Sequence, residues 1–364
     1  MKVLTVGGAI IDTIAIIENS AIERMSLLNA GTSYLLLEDG RKTEAIDISM
    51  HCGGGAVNTA ISFARLGFDC ATLVKIGDDR RGEQILASLA EEGISAQWVI
   101  RDGRAPTGSS VLVSSHDRNA GVFTFRGANT LLEPDDIDDR AFAVDLVYIA
   151  NLSNEAARCF PLLVEKARAA QARVAVNPGT RQLHAHSAAF RNALSEIGIL
   201  SLNRHEAEDV LSLLDRDVPA DDAPLPFPSE LHLPRLATRG LNANGRTISV
   251  RAFFRALTGE GVGSVVLTDG KDGAFAASNG RMIYCPAVEV EVAGTAGAGD
   301  AFGSTFAAYI ALGAAPDFAL RAAANNAASV LGFIDTRSGL LARGELDGRL
   351  ADARAPPNVI GWPL

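Results

Sequence analysis

The feature that most constrains the fold is an alternation of strand and helix patterns in residues 145–214. The apolar runs DLVYIA, RVAVNPG and GILSLN are each followed by a segment with helical character. Strands that alternate with helices predict βαβ units, a mostly parallel sheet, and helices on both of its faces. We therefore expect an α/β fold with a doubly wound, mostly parallel sheet that begins with the N-terminal run KVLTV.

Two early segments depart from this alternation and predict hairpins. In the first, Asp39-Gly40 separates β-prone runs at 34–37 and 45–49, and in the second, HDRN separates GSSVLVSS from AGVFTFRG. We expect the hairpins to form a small second sheet that projects as a lid, from about residues 13–52 and 106–127. Prolines and acids at about 215–245 predict an irregular insertion in a single domain spanning 1–364.

Charge and cysteine content argue against several functional classes. The formal net charge of −10 disfavours binding to nucleic acid, because the phosphates would be repelled. The 4 cysteines form no CxxC pair, which argues against structural zinc and a disulfide framework. No stretch reaches the roughly 20 apolar residues of a membrane-spanning helix, so we expect a cytoplasmic protein with no membrane partner.

The stretch GTAGAGDAFGS, residues 294–304, places glycines and one carboxylate at the start of an apolar helix. Exposed backbone N–H groups at a helix N-terminus form an anion site. A carboxylate there would repel a static phosphate, so Asp300 fits better as a base that deprotonates a hydroxyl attacking phosphorus. The structural alternative is a glycine turn in which Asp300 is a favourable first-turn acid.

This stretch and four further motifs resemble the ribokinase-like (PfkB) family of sugar and nucleoside kinases. The four are VGGAIIDTIA, CGGGAVNTAISFARLG, LNRHEAEDVL and VVLTDGKDGAF, and all occur in the family's order. The resemblance covers nearly the whole chain. It implies the ribokinase-like fold and an ATP-dependent, Mg²⁺-requiring kinase that phosphorylates a primary hydroxyl of a small sugar.

The resemblance also implies a role for each matching residue. It makes Asp300 the catalytic base, and the backbone N–H groups of Gly297, Ala298 and Gly299 the anion hole for the transferred phosphoryl group. It assigns the acceptor to Asp12, Gly53, Gly54 and Asn58, the nucleotide to Asn203, Glu206, Thr268, Gly270 and Asn326, and water-mediated Mg²⁺ binding to Glu206. The structural alternatives are a solvated loop acid at Asp12 and ordinary polar residues at helix starts for Asn58, Asn203 and Glu206.

Two positions bear on the cation and on the substrate. Gly294 replaces the acid that usually opens the C-terminal signature and that helps to bind a monovalent cation, which argues against activation by K⁺. The sequence shows no cluster of Arg or Lys placed to bind a sugar phosphate, although Arg126 can contribute. A non-phosphorylated sugar or a nucleoside is therefore favoured over a sugar phosphate.

Two alternatives stay open at this stage. A nucleoside kinase needs an aromatic side chain to stack on the base, and Phe123 and Phe125 are candidates unless they form the core of the lid. A non-catalytic sugar- or nucleotide-binding protein on the same fold is the other alternative, and the intact GAGD motif argues against it. The hairpins would expose an apolar sheet face in isolation, so we also expect a homodimer formed through the lid.

Overall fold

A computed structural model describes the chain except for residues 19, 21, 27–32, 37, 41, 116–119, 215–217, 220–224, 229–232, 352–356 and 358. In chain order the strands are β1 (Lys2–Val6), β2 (Ile10–Ile17), β3 (Glu23–Ser26), β4 (Ser33–Leu36), β5 (Ala45–Gly53), β6 (Asp69–Ile76), β7 (Val99–Arg101), β8 (Gly108–Ser115), β9 (Ala120–Phe125), β10 (Leu146–Ile149), β11 (Arg173–Val176), β12 (Ile199–Asn203), β13 (Leu241–Ala243), β14 (Arg246–Ile248), β15 (Ser264–Thr268), β16 (Ala274–Ser278), β17 (Arg281–Cys285) and β18 (Ile360–Pro363).

Helices connect most of these strands. They are α1 (Gly55–Arg65), α2 (Arg80–Glu91), α3 (Phe160–Ala169), α4 (Thr180–Ala185), α5 (Ser187–Ala193), α6 (Arg204–Leu214), α7 (Arg235–Arg239), α8 (Val250–Gly259), α9 (Ala298–Ala311), α10 (Pro316–Leu331) and α11 (Arg343–Ala351). Within the described ranges, no helix has the length and apolarity needed to cross a membrane.

The main sheet has 10 strands in the order β18-β17-β16-β15-β12-β11-β10-β1-β6-β7. The pairs from β15 to β7 are parallel, whereas β16, β17 and β18 are antiparallel. The chain runs outward from β1 in both directions, as a doubly wound sheet does. The predicted α/β class is therefore confirmed.

Each face of this sheet carries its own hydrophobic core. Val147 and Ile149 of β10 point into one core, with α3, α5, α6 and α8. Leu146 and Tyr148 point into the other, with α1, α9 and α10. Because successive side chains of a strand alternate between faces, a strand covered on both sides must be apolar throughout, as the run LVYI is.

A separate 4-stranded sheet has the order β5-β2-β8-β9. The hairpin predicted around HDRN is confirmed as the antiparallel pair β8–β9. The hairpin predicted around Asp39-Gly40 is wrong, because β4 pairs with β3 and β5 pairs with β2. A turn does form at Asp39-Gly40, but the β2–β5 pairing buries the facing pair Ile11 and Cys52, which a local hairpin would not.

The insertion expected at about 215–245 is partly regular. Its described C-terminal part contains α7 and the hairpin β13–β14, and the expectation of an irregular segment is wrong there. The hairpin lies against α6 and fully buries Leu241 and Ile248. This burial of apolar side chains gives a segment with few local signals its structure.

Candidate active site

Asp300 lies in the first turn of α9, directly after the glycine-rich loop. Gly297 is the N-cap of this helix, with φ 79°, and as a glycine it has no side chain to accept hydrogen bonds from the first-turn N–H groups. A Cβ on Gly297 would lie 2.7 Å from the Thr336 Cβ, so the loop excludes a side chain at that position. The N–H groups of a helix's first turn have no partner within the helix and remain available to an anion.

Asn58 of α1 holds the Asp300 carboxylate in place. Its Nδ2 donates to Asp300 Oδ2 over 2.8 Å, and its Oδ1 accepts from Thr336 Oγ1 over 2.8 Å. Burial raises the pKa of Asp300 to about 6, the bond from Asn58 opposes that rise, and the charge of Asp12 adds to it. A carboxylate with a raised pKa accepts a proton more readily, as a general base must.

Asp12 lies on β2 and is buried against the neighbouring strands. Ser110 of β8 donates its hydroxyl to one Asp12 oxygen, and the other oxygen occupies the space where a side chain on Gly53 would lie. Burial raises the pKa of Asp12, while Ser110 and the nearby His51 lower it. The hydrogen bond from Ser110 thus fixes one oxygen of Asp12. The Asp12 carboxylate lies close enough to Asp300 to raise the pKa of Asp300.

The start of α1 brings these groups together. Gly54 has φ 99°, and a Cβ there would lie 2.5 Å from the Gly8 carbonyl oxygen, so only glycine allows this close approach. A Cβ on the next residue, Gly55, would lie 3.7 Å from Asp300 Oδ1. The glycines therefore allow α1 and its Asn58 to pack against the start of α9.

Asn203, Glu206, Thr268 and Gly270 lie at the carboxyl ends of β12 and β15. The Asn203 N–H donates to Glu206 Oε2 over 2.9 Å, and the Glu206 N–H donates to Asn203 Oδ1 over 3.0 Å, forming a reciprocal cap on α6. Thr268 pairs with Asn203 across the sheet, and Gly270 has φ 55° with open space around it.

Glu206 also interacts with the centre of the site. Burial raises the pKa of Glu206 to about 7, and the charges of Asp300 and Asp209 add to that rise. The described residues contain no cluster of His, Cys, Asp and Glu able to hold a metal alone. The single carboxylate of Glu206 fits Mg²⁺, because proteins commonly bind this ion through one or two carboxylates together with nucleotide phosphates and water.

Asn326 lies apart from these residues. It is fully buried on α10, where its Nδ2 donates to Thr305 Oγ1 over 2.7 Å and its Oδ1 accepts from the Leu341 N–H over 2.9 Å. Both ends of the amide are therefore bonded within the protein. The structure does not bring Asn326 to the surface of the site, where the expected adenine contact would require it.

The expected uses of Phe123 and Phe125 do not match the structure. Asp12, Ser110 and Thr124 align across β2, β8 and β9, so they share one face of the small sheet. Phe123 and Phe125 flank Thr124 in β9 and point to the opposite face. With 67% and 52% of their surface exposed, they are not the core of the small sheet, and a base held beside Asp12 would not reach them.

The family model for the pfkB family carbohydrate kinases matches residues 21–226 and 236–341. The chain belongs to this family. A pfkB carbohydrate kinase is a phosphotransferase that acts on a hydroxyl group, which confirms the expected enzyme class. This finding also rules against the alternative of a non-catalytic binding protein.

Several kinases resemble this pfkB chain. A deoxyribokinase from Salmonella typhi is 24% identical over 301 residues, covering 81% of this chain and 85% of that protein. The fold matches that of a nucleoside kinase from Methanocaldococcus jannaschii with a TM-score of 0.71 at 18% identity, over 96% and 97% of the two chains. It also matches an Arabidopsis thaliana ribokinase complexed with ribose and ATP, with a TM-score of 0.68 at 19% identity, over 96% and 99%.

Two residues of the site were not predicted from the sequence. Ser110 is one of several serines in a strand, and only the register of β8 against β2 shows that it faces Asp12. Thr336 follows α10 in a segment without a motif of its own, yet it binds Asn58 and lies against Gly297. Both roles depend on contacts between distant parts of the chain, which no local pattern reveals.

Proposed function

We propose that this protein transfers the γ-phosphoryl group of ATP to a primary hydroxyl of a small sugar. The observation that carries the proposal is the position of Asp300 at the N-terminus of α9. It is bonded to Asn58, and the charge of the nearby Asp12 carboxylate helps to raise its pKa. At this position the base can take the proton of a hydroxyl while the helix N-terminus binds a phosphoryl group.

In the proposed reaction, the Asp12 oxygen that is not bonded to Ser110 accepts a hydrogen bond from an acceptor hydroxyl and orients the sugar. Asp300 takes the proton of the attacking hydroxyl as its oxygen forms a bond to the γ-phosphorus. The bond from that phosphorus to the β-phosphate oxygen breaks and releases ADP. The N–H groups of Gly297, Ala298 and Gly299 bind the negative charge on the transferred group.

We place the nucleotide beside Asn203, Glu206, Thr268 and Gly270. These residues lie at the carboxyl edge of the sheet, where nucleotides bind in doubly wound folds. The ATP in the related Arabidopsis ribokinase supports this nucleotide. Mg²⁺ would neutralise phosphate charge, and Glu206 would hold its water shell. The small sheet would act as the lid that excludes water, through the segments at about 13–52 and 106–127.

We also propose that two chains associate through the small sheet and that the protein works in the cytoplasm. The face that carries Phe123 also exposes Ile48, Met50 and Val111. Large apolar patches of this kind mark interaction surfaces, and a second copy would cover this one. The four cysteines are free and buried, in keeping with a reducing compartment.

The test is ADP formation over a panel of sugars and nucleosides, with the wild type and Asp300→Asn compared at the same Mg²⁺ concentration. We expect at least one sugar to raise ADP formation in the wild type, and Asp300→Asn to lose about 10²-fold or more of that rate. Equal turnover by the two proteins would overturn the role of Asp300. Turnover with nucleosides alone would show that the acceptor is a nucleoside and not a sugar. Nucleosides are in the panel because the fold resembles that of a nucleoside kinase.

A further inference from the structure

One short loop that follows β10 is bonded to two segments, and each of these segments carries an arginine, Arg126 or Arg181. Arg126 Nη1 donates to Ser153 Oγ in this loop over 2.8 Å. On the other side, Gln182 Oε1 accepts from the Leu152 N–H over 3.2 Å, and the residue before Gln182 is Arg181. The loop is therefore bonded to the end of β9 on one side and to α4 on the other.

The same loop reaches the catalytic carboxylate. Asn151 in this loop lies against Gly179 and close to Gly55. A Cβ on Gly55 would lie 3.9 Å from the Asn151 backbone nitrogen and 3.7 Å from Asp300 Oδ1. The loop that Arg126 and Gln182 bind, the latter next to Arg181, therefore lies beside the reaction centre.

Neither guanidinium has a carboxylate partner within the described ranges. Arg126 is half-buried and its hydrogen bond is to a neutral hydroxyl, while Arg181 is exposed. Burial lowers the pKa of Arg126, and the positive charge of Arg181 lowers it further. Arg158, in the segment just after this loop, differs because Glu155 neutralises it at 2.9 Å.

Arg126 belongs to the acceptor side of the site. It follows β9 of the small sheet, which also carries Asp12 and Ser110. The turn after it is tied to the strand of Asp12, because the Asn129 amide bonds to the Ala9 N–H and carbonyl at 2.8 and 2.9 Å. The transferred phosphoryl group has separate donors at the start of α9.

We propose that Arg126 and Arg181 bind an oxyanion carried by the acceptor, so that the sugar has a carboxylate or phosphate group in addition to the hydroxyl that is phosphorylated. Arginine binds both groups through paired N–H donors. An anion between the two guanidiniums would relieve their mutual repulsion. The inference rests on the proposed function, because it specifies the acceptor of that reaction. It departs from the preference for a non-phosphorylated sugar or nucleoside, because the sequence did not show that the charges of Arg126 and Arg181 lie close enough to interact.

The test compares acceptors that differ chiefly in charge, namely fructose with fructose 6-phosphate and glucose with gluconate. Initial rates of ADP formation are measured for the wild type, Arg126→Gln, Arg181→Gln and the control Arg158→Gln. We expect the wild type to prefer a charged acceptor by about tenfold or more in kcat/KM, and each site variant to lose most of that preference through a higher acceptor KM. The KM for ATP should stay unchanged, and the control should behave as the wild type.

Two outcomes of the rate measurements would overturn the proposal. One is a preference for neutral acceptors that the site variants leave intact. Another is a rise in the KM for ATP that matches the rise for the acceptor, which would place the arginines on the transferred phosphoryl group. If no acceptor supports ADP formation, the proposed function fails, and calorimetry with the same compounds decides whether the anion site exists. Binding of a charged compound that Arg181→Gln abolishes would support the site, and no binding would overturn it.

Arg181→Gln keeps the test independent of folding. Its side chain is exposed and forms no bond with the residues that the structure describes. Its loss therefore removes charge without removing a structural contact, even if Arg126→Gln fails to fold.

Discussion

At the scale of single residues, the Asp300 carboxylate combines basicity with burial. The folded protein raises its pKa from 3.8 to about 6, chiefly by burial. The proton-accepting form therefore predominates only above about pH 6. We expect kcat/KM to fall as the pH drops through this value, in an assay of ADP formation whose coupling enzyme does not limit the rate. A profile that stays flat down to pH 5 would contradict the assignment of Asp300 as the base.

The same shift predicts how stability changes with pH. Between about pH 4 and 6 the folded state holds a proton that the unfolded chain has lost, so the free energy of unfolding falls as the pH rises through that interval. Above it, Asp300→Asn should be more stable than the wild type, by on the order of 1 kcal/mol, because asparagine places no charge in this buried position. Urea unfolding of both proteins at pH 5 and 7.5 measures the difference, which should be larger at pH 7.5.

Gly297 and Gly299 form a matched pair in one loop. Gly297 has φ 79° and would place a Cβ 2.7 Å from the Thr336 Cβ, whereas a Cβ on Gly299 meets nothing within 4 Å. We expect Gly297→Ala to lower the free energy of unfolding by about 2 kcal/mol or more. Gly299→Ala, inside the first turn of a helix, should be neutral or stabilise by up to about 1 kcal/mol. Equal losses in the two variants would show that the conformation of Gly297 is not what the loop requires.

Gly294 predicts a response to monovalent cations. A Cβ at this position would lie 2.8 Å from the Phe333 carbonyl oxygen, so the backbone occupies the place of the missing acid side chain. Without that carboxylate, a cation there would lack one charged ligand. We expect addition of K⁺ to a Na⁺-free assay to change the rate less than about twofold, measured at constant ionic strength. Strong activation by K⁺ would contradict this expectation.

At the scale of elements, α6 depends on Glu206 in two separable ways. The side chain caps the helix through the Asn203 N–H and is also the carboxylate we assign to the Mg²⁺ shell. Glutamine keeps the cap but removes the charge, whereas alanine removes both. We expect Glu206→Gln to raise the Mg²⁺ concentration needed for half-maximal rate while stability is kept, and Glu206→Ala to lose about 1 kcal/mol as well. Unaltered Mg²⁺ dependence in both variants would leave Glu206 with the capping role alone.

The elements also show where sequence reasoning succeeds and where it stops. The parallel sheet was predictable because strands such as β10 are buried on both faces and therefore apolar throughout. The turn at Asp39-Gly40 was equally recognisable, but which strands pair depends on distant contacts, and Ile11 pairs with Cys52. Asp300 and Asn58 were identified through motifs, whereas Ser110 and Thr336 depend on strand register and on how a loop folds back.

At the scale of the whole molecule, the small sheet has one face on which we place the acceptor and an opposite face that α2 covers only in part. The acceptor face carries Asp12 and Ser110. The opposite face packs on α2 near Ile11 and Cys52 and then continues outward through Val111 and Phe123, both exposed. An apolar surface continuous with a core is costly to leave in water, by about 25 cal/mol for each Å². Covering it by a second chain would also stiffen the sheet that carries Asp12.

This arrangement predicts a dimer that a single charge disrupts. We expect the wild type to sediment as a dimer at micromolar concentration and Phe123→Asp to sediment as a monomer, because burying an unpaired carboxylate in an apolar interface is strongly unfavourable. Val122→Asp is the matched control, since Val122 is the preceding residue, is 57% exposed and points to the opposite face. Sedimentation velocity on the three proteins decides the matter. A monomeric wild type, or equal dissociation by the two variants, would show that this face does not join two chains. If the monomer also has a higher acceptor KM with an unchanged KM for ATP, the dimer contact helps to position the acceptor side of the site.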